Sequence, residues 1–384
     1  MLKFAIKMLI KDRSKFLGIL IGLTFSSFII TQQAGIFVGL MQRTYGFLTD
    51  TSQPDIWVME HAVQHIDDAK PFRISKLYQT KSIEGVAWAV PLFKGLLKAK
   101  TSTGVFQICN VIGIDDTTLI GGPPWMLQGR IENLLTPDAV IINRIGAEQR
   151  LYREDAQGNK VPIQFGETFE INDKRARVVG FCETTRTFQS QPVIYTTFSR
   201  AIQFAPTERN FLTFVLVKAG EGVDPTALAR KIESMTGLSA YTTKEFRNLT
   251  LKYYLTQTGI PINFGVAVIL GFIIGTAIAG QTFYSYAHDN LRYFATFKAM
   301  GATNQLLVKM ILTQAFITAF LGWAFGIGIT ILFGAFSTQT ELSFTFPWWL
   351  MLTSTLAIYG ITLLAATMSV VKIIRLEPSV VFQS

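Results

Sequence analysis

Four stretches of the chain, 16–40, 262–283, 306–336 and 347–371, consist almost wholly of apolar residues. Each reaches the roughly 20 helical residues needed to cross a hydrocarbon core. Their one Asp, Glu, Lys or Arg is Lys309, close to the start of the third run, where its stem can snorkel to the interface. The pattern predicts four transmembrane helices. The first run has the basic start of a cleaved leader, but it is longer than an h-region of about 7–15 residues. Gln32 also stands where a cleavage site ending at Ala34 needs a small residue, so the run is read as a retained span.

Between the first two spans, residues 41–261 change character. Short β-rich runs at 55–59, 85–91, 95–100, 106–114, 139–142, 176–182, 193–195 and 212–217 are bounded in several places by Gly, Pro, Asp or Asn, as strand ends are. Helical patterns fall at 74–79, 145–151, 199–204 and 225–235. The last has Asp224 as N-cap, Pro225 at the first helical position and Gly237 past its end. Residues 241–258 predict a helix running into the second span. The fold class is therefore a multi-pass α-helical membrane protein with a large α+β extracytoplasmic domain between helices 1 and 2.

Charge orients this arrangement. Lys3, Lys7, Lys11, Arg13 and Lys15 precede the first span, Arg292, Lys298 and Lys309 lie between the second and third, and Lys372 and Arg375 follow the fourth. Only Asp12, Asp289 and Glu377 oppose them, while loop 337–346 holds Glu341 and no Lys or Arg. Basic short flanks stay in the cytoplasm. The expected layout is a cytoplasmic segment 1–15, an extracytoplasmic domain 41–261, a cytoplasmic loop 284–305, a short periplasmic loop 337–346 and a cytoplasmic tail 372–384. The formal net charge of +9 thus belongs to the flanks, not to a nucleic-acid-binding face. In the first segment Leu2, Ile6, Leu9, Ile10 and Arg13 recur at helical spacing, with Lys3, Lys7, Lys11 and Lys15 on another face. That suits an amphipathic helix in the headgroup region, or simply an orienting basic flank.

Candidate chemistry is sparse. His61 and His65 are four apart, with Asp67 and Asp68 beside them: either a metal site or a polar loop. Cys109 and Cys182 are the only cysteines, and spacing leaves open whether they pair. No G-x-S-x-G, no H-E-x-x-H and no Walker A sequence occurs, so no cofactor is expected here and any ATP must be bound by a partner chain. Gly121-Gly122-Pro123-Pro124-Trp125 reads as a turn carrying an exposed aromatic. Ionisable residues are absent from the middles of the spans, which argues against an ion-coupled pathway. Small residues recur at GxxxG spacing instead: Gly18 and Gly22, Gly35 and Gly39, Gly271 and Gly275, Gly322 and Gly326. They predict close helix packing, within the chain or at a dimer interface.

Three segments carry a resemblance. The loop from Tyr286 reads YAHDNLRYFATFKAMGA, a polar and basic start followed by an apolar segment ending in Lys-Ala-Met-Gly-Ala. The tail reads IRLEPSVV from Ile374, and the chain opens with KDRSKF from Lys11 and DIWVM from Asp55. With the layout, these resemble the permeases of the MacB/FtsX-type ABC transporter family, and the last two look most like its DevC-type branch. Asp289 and Asn290 stand where the family often has Glu.

The resemblance implies a homodimer in the bacterial inner membrane, bound to a cytoplasmic ABC ATPase and non-catalytic itself. It further implies mechanotransmission, working with a periplasmic adaptor and outer-membrane channel to export a lipid, glycolipid or other amphiphile. The alternatives within the family are an FtsX-like regulator of a cell-wall hydrolase and a lipoprotein-releasing permease. The ATPase-coupling residues it points to are His288, Asp289, Arg292, Phe294, Phe297, Lys298, Met300 and Gly301. Leu291, Phe294, Phe297 and Met300 recur every three residues. A short helix there would press an apolar face into a partner's groove, with Arg292 and Lys298 making charge contacts and Gly301 as its stop; otherwise it is an amphipathic loop lying on the membrane.

Overall fold

The structure is a computed structural model that describes residues 2–101, 104–154, 159–206, 212–337 and 340–374. The tail motif from Arg375 onward lies outside the described residues. In chain order the helices are α1 (Leu2–Lys11), α2 (Arg13–Thr44), α3 (Gly46–Asp50), α4 (Ser75–Lys81), α5 (Phe198–Phe204), α6 (Pro225–Thr236), α7 (Thr243–Gln257), α8 (Ile260–Asp289), α9 (Leu291–Ala299), α10 (Asn304–Ser337) and α11 (Trp348–Ile374). The strands are β1 (Ile56–Met59), β2 (Val86–Lys100), β3 (Phe106–Ile114), β4 (Trp125–Gln128), β5 (Ala139–Asn143), β6 (Arg153–Glu154), β7 (Lys160–Val161), β8 (Thr168–Ile171), β9 (Lys174–Glu183), β10 (Val193–Thr197), β11 (Phe214–Ala219) and β12 (Ser239–Thr242). The chain divides into a helical unit, Met1–Leu40 with Gly259–Ser384, and a sheet unit, Met41–Thr258.

In the helical unit α2, α8, α10 and α11 are each long and apolar enough to cross a membrane. Lipid gives helices no hydrophobic reason to meet, so contact depends on small residues and on polar bonds. On α8 the buried positions Gly271, Gly275, Ala279, Phe283 and Ala287 recur every four residues and form one narrow ridge. Ser26 of α2 donates a hydrogen bond to the Gly271 carbonyl at 2.7 Å, and any side chain at Gly275 would collide with Ser26. On α10, a methyl at Gly322 would sit 2.6 Å from Leu23 Cβ, and one at Gly326 would meet Ser27. A methyl at Gly22 would lie 2.5 Å from Ile278, whereas Gly18 has only an ordinary contact with Thr282. Gly22, Gly271, Gly275, Gly322 and Gly326 are therefore occupied by packing within one chain.

In the sheet unit the strand order is β12-β1-β11-β2-β3-β10-β5-β9-β4, with β8 against β2 and β9. The sequence divides β2 in two at Pro91; the structure makes it one strand of 15 residues. Pro91 is tolerated because β2 pairs with β11 there, while its pairing with β3 begins only at Phe93. The other strands that sequence patterning misses, β4, β6, β7, β8 and β12, are all two to four residues long. Trp125 falls on β4 rather than in a turn and is 67% exposed.

Both faces of this sheet are covered. Ile56, Val58, Val215, Val217, Val140 and Ile142 point to one core, with Leu77, Phe204, Leu228 and Ile232 of α4, α5 and α6. Their neighbours Trp57, Met59, Phe214, Leu216 and Ile141 point to the other, with Leu48 of α3 and Phe246 of α7. Trp57 stands within 6.0 Å of the Phe47, Phe214 and Phe246 rings. The helix starts follow local chemistry. Asp224 caps α6, and Thr242 with Glu245 forms a reciprocal capping box on α7.

Cys109 and Cys182 are free and buried, one in each core. Burial pushes the Cys109 thiol up to about 12 and raises Cys182 as well. Since the thiolate is the reactive form, maleimide at neutral pH should label neither cysteine in the folded protein and both after denaturation. Stoichiometric labelling before denaturation would contradict this burial.

Candidate functional site

The segment between α8 and α10 is where the candidate coupling residues gather. The chain breaks at Asn290, whose side-chain amide donates to the Tyr286 carbonyl at 2.8 Å and so closes the end of α8. Helix α9 then runs to Ala299 and stops at Gly301. The Gly301 N–H donates to the Lys298 carbonyl at 3.1 Å, and the Ala302 N–H to the Phe297 carbonyl at 2.9 Å. That double bond pattern is a Schellman cap, and the Gly301 φ of +91° is the conformation it demands of a glycine.

The structure corrects one part of the sequence reading. Phe294 does not face outward to dock: it is fully buried, with Ala295, in the core of the helical unit. Leu291 and Phe297 pack partly against the same core. The apolar face is consumed inside the chain because a short helix between two spans has a ready-made apolar neighbour. The opposite face carries the exposed Arg292, Tyr293 and Thr296, and Met300 beyond the helix end is 71% exposed. Of the predicted coupling residues, His288, Asp289, Arg292, Met300 and Gly301 are thus at the surface, Phe297 and Lys298 are half-buried, and Phe294 is not available.

Polar contacts tie α9 and its flanks to the neighbouring helices. Lys15 pairs with both Asp12, at 3.2 Å, and Asp289, joining the start of α2 to the end of α8. The Lys298 ammonium donates to the Ile374 carbonyl on α11 at 3.1 Å. Buried Gln314 of α10 donates to the Ala5 carbonyl of α1 at 2.8 Å and to the Tyr286 hydroxyl of α8 at 3.0 Å. On α1 the buried residues are Ala5 and Leu9, with Met8 packed partly beside them, while Phe4 and Ile10 are exposed. Nothing near Gln314 or Lys15 in the sequence marks these partners. Partners distant in sequence leave no local signal.

The histidine segment of the sheet unit does not bring its four candidate ligands together; each meets another partner. His61 Nδ1 meets the Ser239 hydroxyl at 2.8 Å, and the His65 ring packs 4.5 Å from Tyr253. Asp67 pairs with Lys94, and Asp68 with Lys70 at 3.5 Å. Among the described residues no three His, Cys, Asp or Glu side chains gather to hold an ion. Burial lowers the His65 pKa, with Asp67 and Asp68 opposing the shift.

Among the described residues, four helices are long and apolar enough to cross a membrane, and a sheet-rich domain follows the first of them. The chain matches the family model for the MacB-like periplasmic core domain over residues 16–235, more than half its length, and that for the FtsX-like permease C-terminal region over residues 250–378. It belongs to the MacB/FtsX-type ABC transporter permeases. Two crystal structures are similar to part of this chain. One is the extracellular domain of the noncanonic ABC-type transporter YknZ from Gram-positive bacteria, 15% identical, covering 49% of this chain and 98% of that one, with a TM-score of 0.35. The other is the periplasmic region of MacB from Actinobacillus actinomycetemcomitans, 15% identical, covering 50% of this chain and 90% of that one, with a TM-score of 0.36. No curated protein matches this chain.

The packing of α9 predicts an ordered set of stabilities. Phe294→Ala should cost about 3–5 kcal/mol, as truncation of a buried aromatic does, and Gly301→Pro should destabilise as well, because proline fixes φ near −65° and lacks the N–H that bonds the Lys298 carbonyl. Met300→Ala should cost almost nothing. Thermal unfolding of the purified variants in micelles checks this, and equal losses for Phe294→Ala and Met300→Ala would refute the packing.

Proposed function

We propose that this chain is the membrane subunit through which a separate cytoplasmic ATPase drives movement in the sheet domain, without passing solute through its own helices. The observation that carries this reading is the two-faced character of α9. One face is locked into the helical unit by Phe294 and Ala295, and the other presents Arg292, Tyr293 and, past its end, Met300. A push on the exposed face is transmitted because the anchored face leaves no slack.

Two further features support it. Several polar groups hold the helices together: Ser26 on the Gly271 carbonyl, Trp323 on Ser354 at 3.2 Å, and Gln314 on Ala5 and Tyr286. Helix α2 also runs unbroken from Arg13 to Thr44. The basic flanks support an orientation with both termini and α9 on the cytoplasmic side and the sheet domain outside.

In this reading the permease works as a homodimer in the bacterial inner membrane, each copy engaging one ATPase, which supplies the ATP site this chain lacks. The opening and β1 motifs favour the DevC-type branch, hence a periplasmic adaptor, an outer-membrane channel and an amphiphilic cargo such as a lipid or glycolipid.

The test is reconstitution with the partner ATPase. Arg292→Glu and Met300→Asp should each cut permease-dependent stimulation of ATP hydrolysis about tenfold, the effect of roughly 1.4 kcal/mol at an interface. Membrane insertion and melting should not change. Wild-type stimulation in both variants would remove α9 from the docking surface.

A further inference from the structure

A cavity of about 230 Å3 lies within the sheet domain, and its lining is chemically specific. Strand β2 carries Lys94 into it, with a side chain only 4% exposed and paired to Asp67. Asn110 of β3 is 3% exposed, and its Oδ1 accepts no hydrogen bond. His65 Nδ1 is likewise buried without a partner. Leaving a buried polar atom unsatisfied costs about 1–3 kcal/mol, so folded proteins rarely keep such atoms empty-handed. Two at one cavity call for a hydrogen-bonding occupant: Asn110 Oδ1 needs a donor, and so does His65 Nδ1 when the neutral ring carries its proton on Nε2.

The rest of the lining narrows its chemistry. The Phe188 and Tyr254 rings stand 5.0 Å apart, and the His65 ring lies 5.4 Å from Tyr254. They form an aromatic wall beside the two unpartnered atoms. Lys94 and Asp67 cancel in charge, and burial holds His65 toward its neutral form. An ionised ligand would therefore bring an uncompensated charge, which is costly to bury. The volume is below the roughly 300–1,000 Å3 of sites for drug-sized molecules, so it suits a single ring. A neutral ring with an apolar C–H face and hydroxyls at its rim satisfies every one of these demands.

We propose that this cavity binds one sugar unit, its hydroxyls donating to Asn110 Oδ1 and His65 Nδ1 and its C–H face lying on Phe188 and Tyr254. The unit can arrive as a free saccharide or as the headgroup of an amphiphile. The second source rests on the export reading above; the first does not.

Saturation-transfer NMR on the full-length protein tests the site, in a phosphocholine detergent that carries no sugar. Methyl β-glucopyranoside is the free probe, and a glucosyl lipid in nanodiscs is the anchored one. Transfer to the ring C–H protons is expected, with affinity falling about tenfold in Phe188→Ala and in Asn110→Leu, the effect of losing one good contact. Phe188 is half-buried in a loop, so its truncation leaves the sheet standing even if Asn110→Leu fails to fold. Binding of the free glycoside establishes a saccharide site, and binding of the glucosyl lipid alone establishes a headgroup site. No transfer to either probe, or transfer unchanged in folded Phe188→Ala, overturns the proposal, as does equal binding of glucuronate. No ATP is needed, so failure here leaves ATPase coupling untouched, and failure of coupling in Arg292→Glu leaves the sugar site untouched.

Discussion

Apolar helices in lipid gain nothing from burying apolar surface against one another, because the lipid tails are equally apolar. What holds them is closeness of approach and the few hydrogen bonds that closeness allows. Helix α2 shows both. Leu23 and Ser27 fit against Gly322 and Gly326 of α10, and Ser26 sits over Gly275 while bonding the Gly271 carbonyl of α8. Each glycine is a place where a side chain would press on the facing helix, and at Gly275 it would also displace Ser26 from its bond to the Gly271 carbonyl. The outward surfaces, by contrast, remain apolar and exposed, as at Ile262, Leu356 and Trp348. That is the surface lipid requires.

The anchoring of α9 depends on that assembly. Its buried residues Phe294 and Ala295 share a core with Ala5, Ala287, Leu307 and Ile373, drawn from four other helices. Around this core run the Lys15–Asp289 pair, the Lys298 bond to Ile374 and the two bonds of Gln314. A connector of nine residues would fray by itself, since isolated helices shorter than about 12–15 residues are marginal. Tertiary packing makes it a stiff element with a defined outer face.

The sheet domain obeys a different physics. Both faces of its central strands are covered, so β5 reads as the unbroken apolar run Ala-Val-Ile-Ile rather than as an alternation. Into this dry framework the chain sets Lys94 and Asn110, polar residues in strands, where burial without partners is expensive. Lys94 meets Asp67; the Asn110 carbonyl oxygen does not meet anything in the chain. Nothing in the local sequence marks either residue, since a lysine in a strand ordinarily faces water.

By itself the sequence determined what depends on near neighbours. The four spans follow from length and apolarity, α6 from Asp224, Pro225 and Gly237, and the end of α9 from Gly301, because each is a contest among residues a few positions apart. The strand pattern was legible where apolar or β-branched residues ran together, as in β1, and disappeared for β4, β8 and β12, whose four residues mix polar with apolar side chains. Only the tertiary structure decided which way faces turn and which partners meet. It turned Phe294 inward, joined β2 across Pro91, set the two cysteines in separate cores and brought Lys15 to Asp289. The physical reason is common to all four. An apolar face or a charge states what it needs, but which neighbour supplies it depends on residues far along the chain.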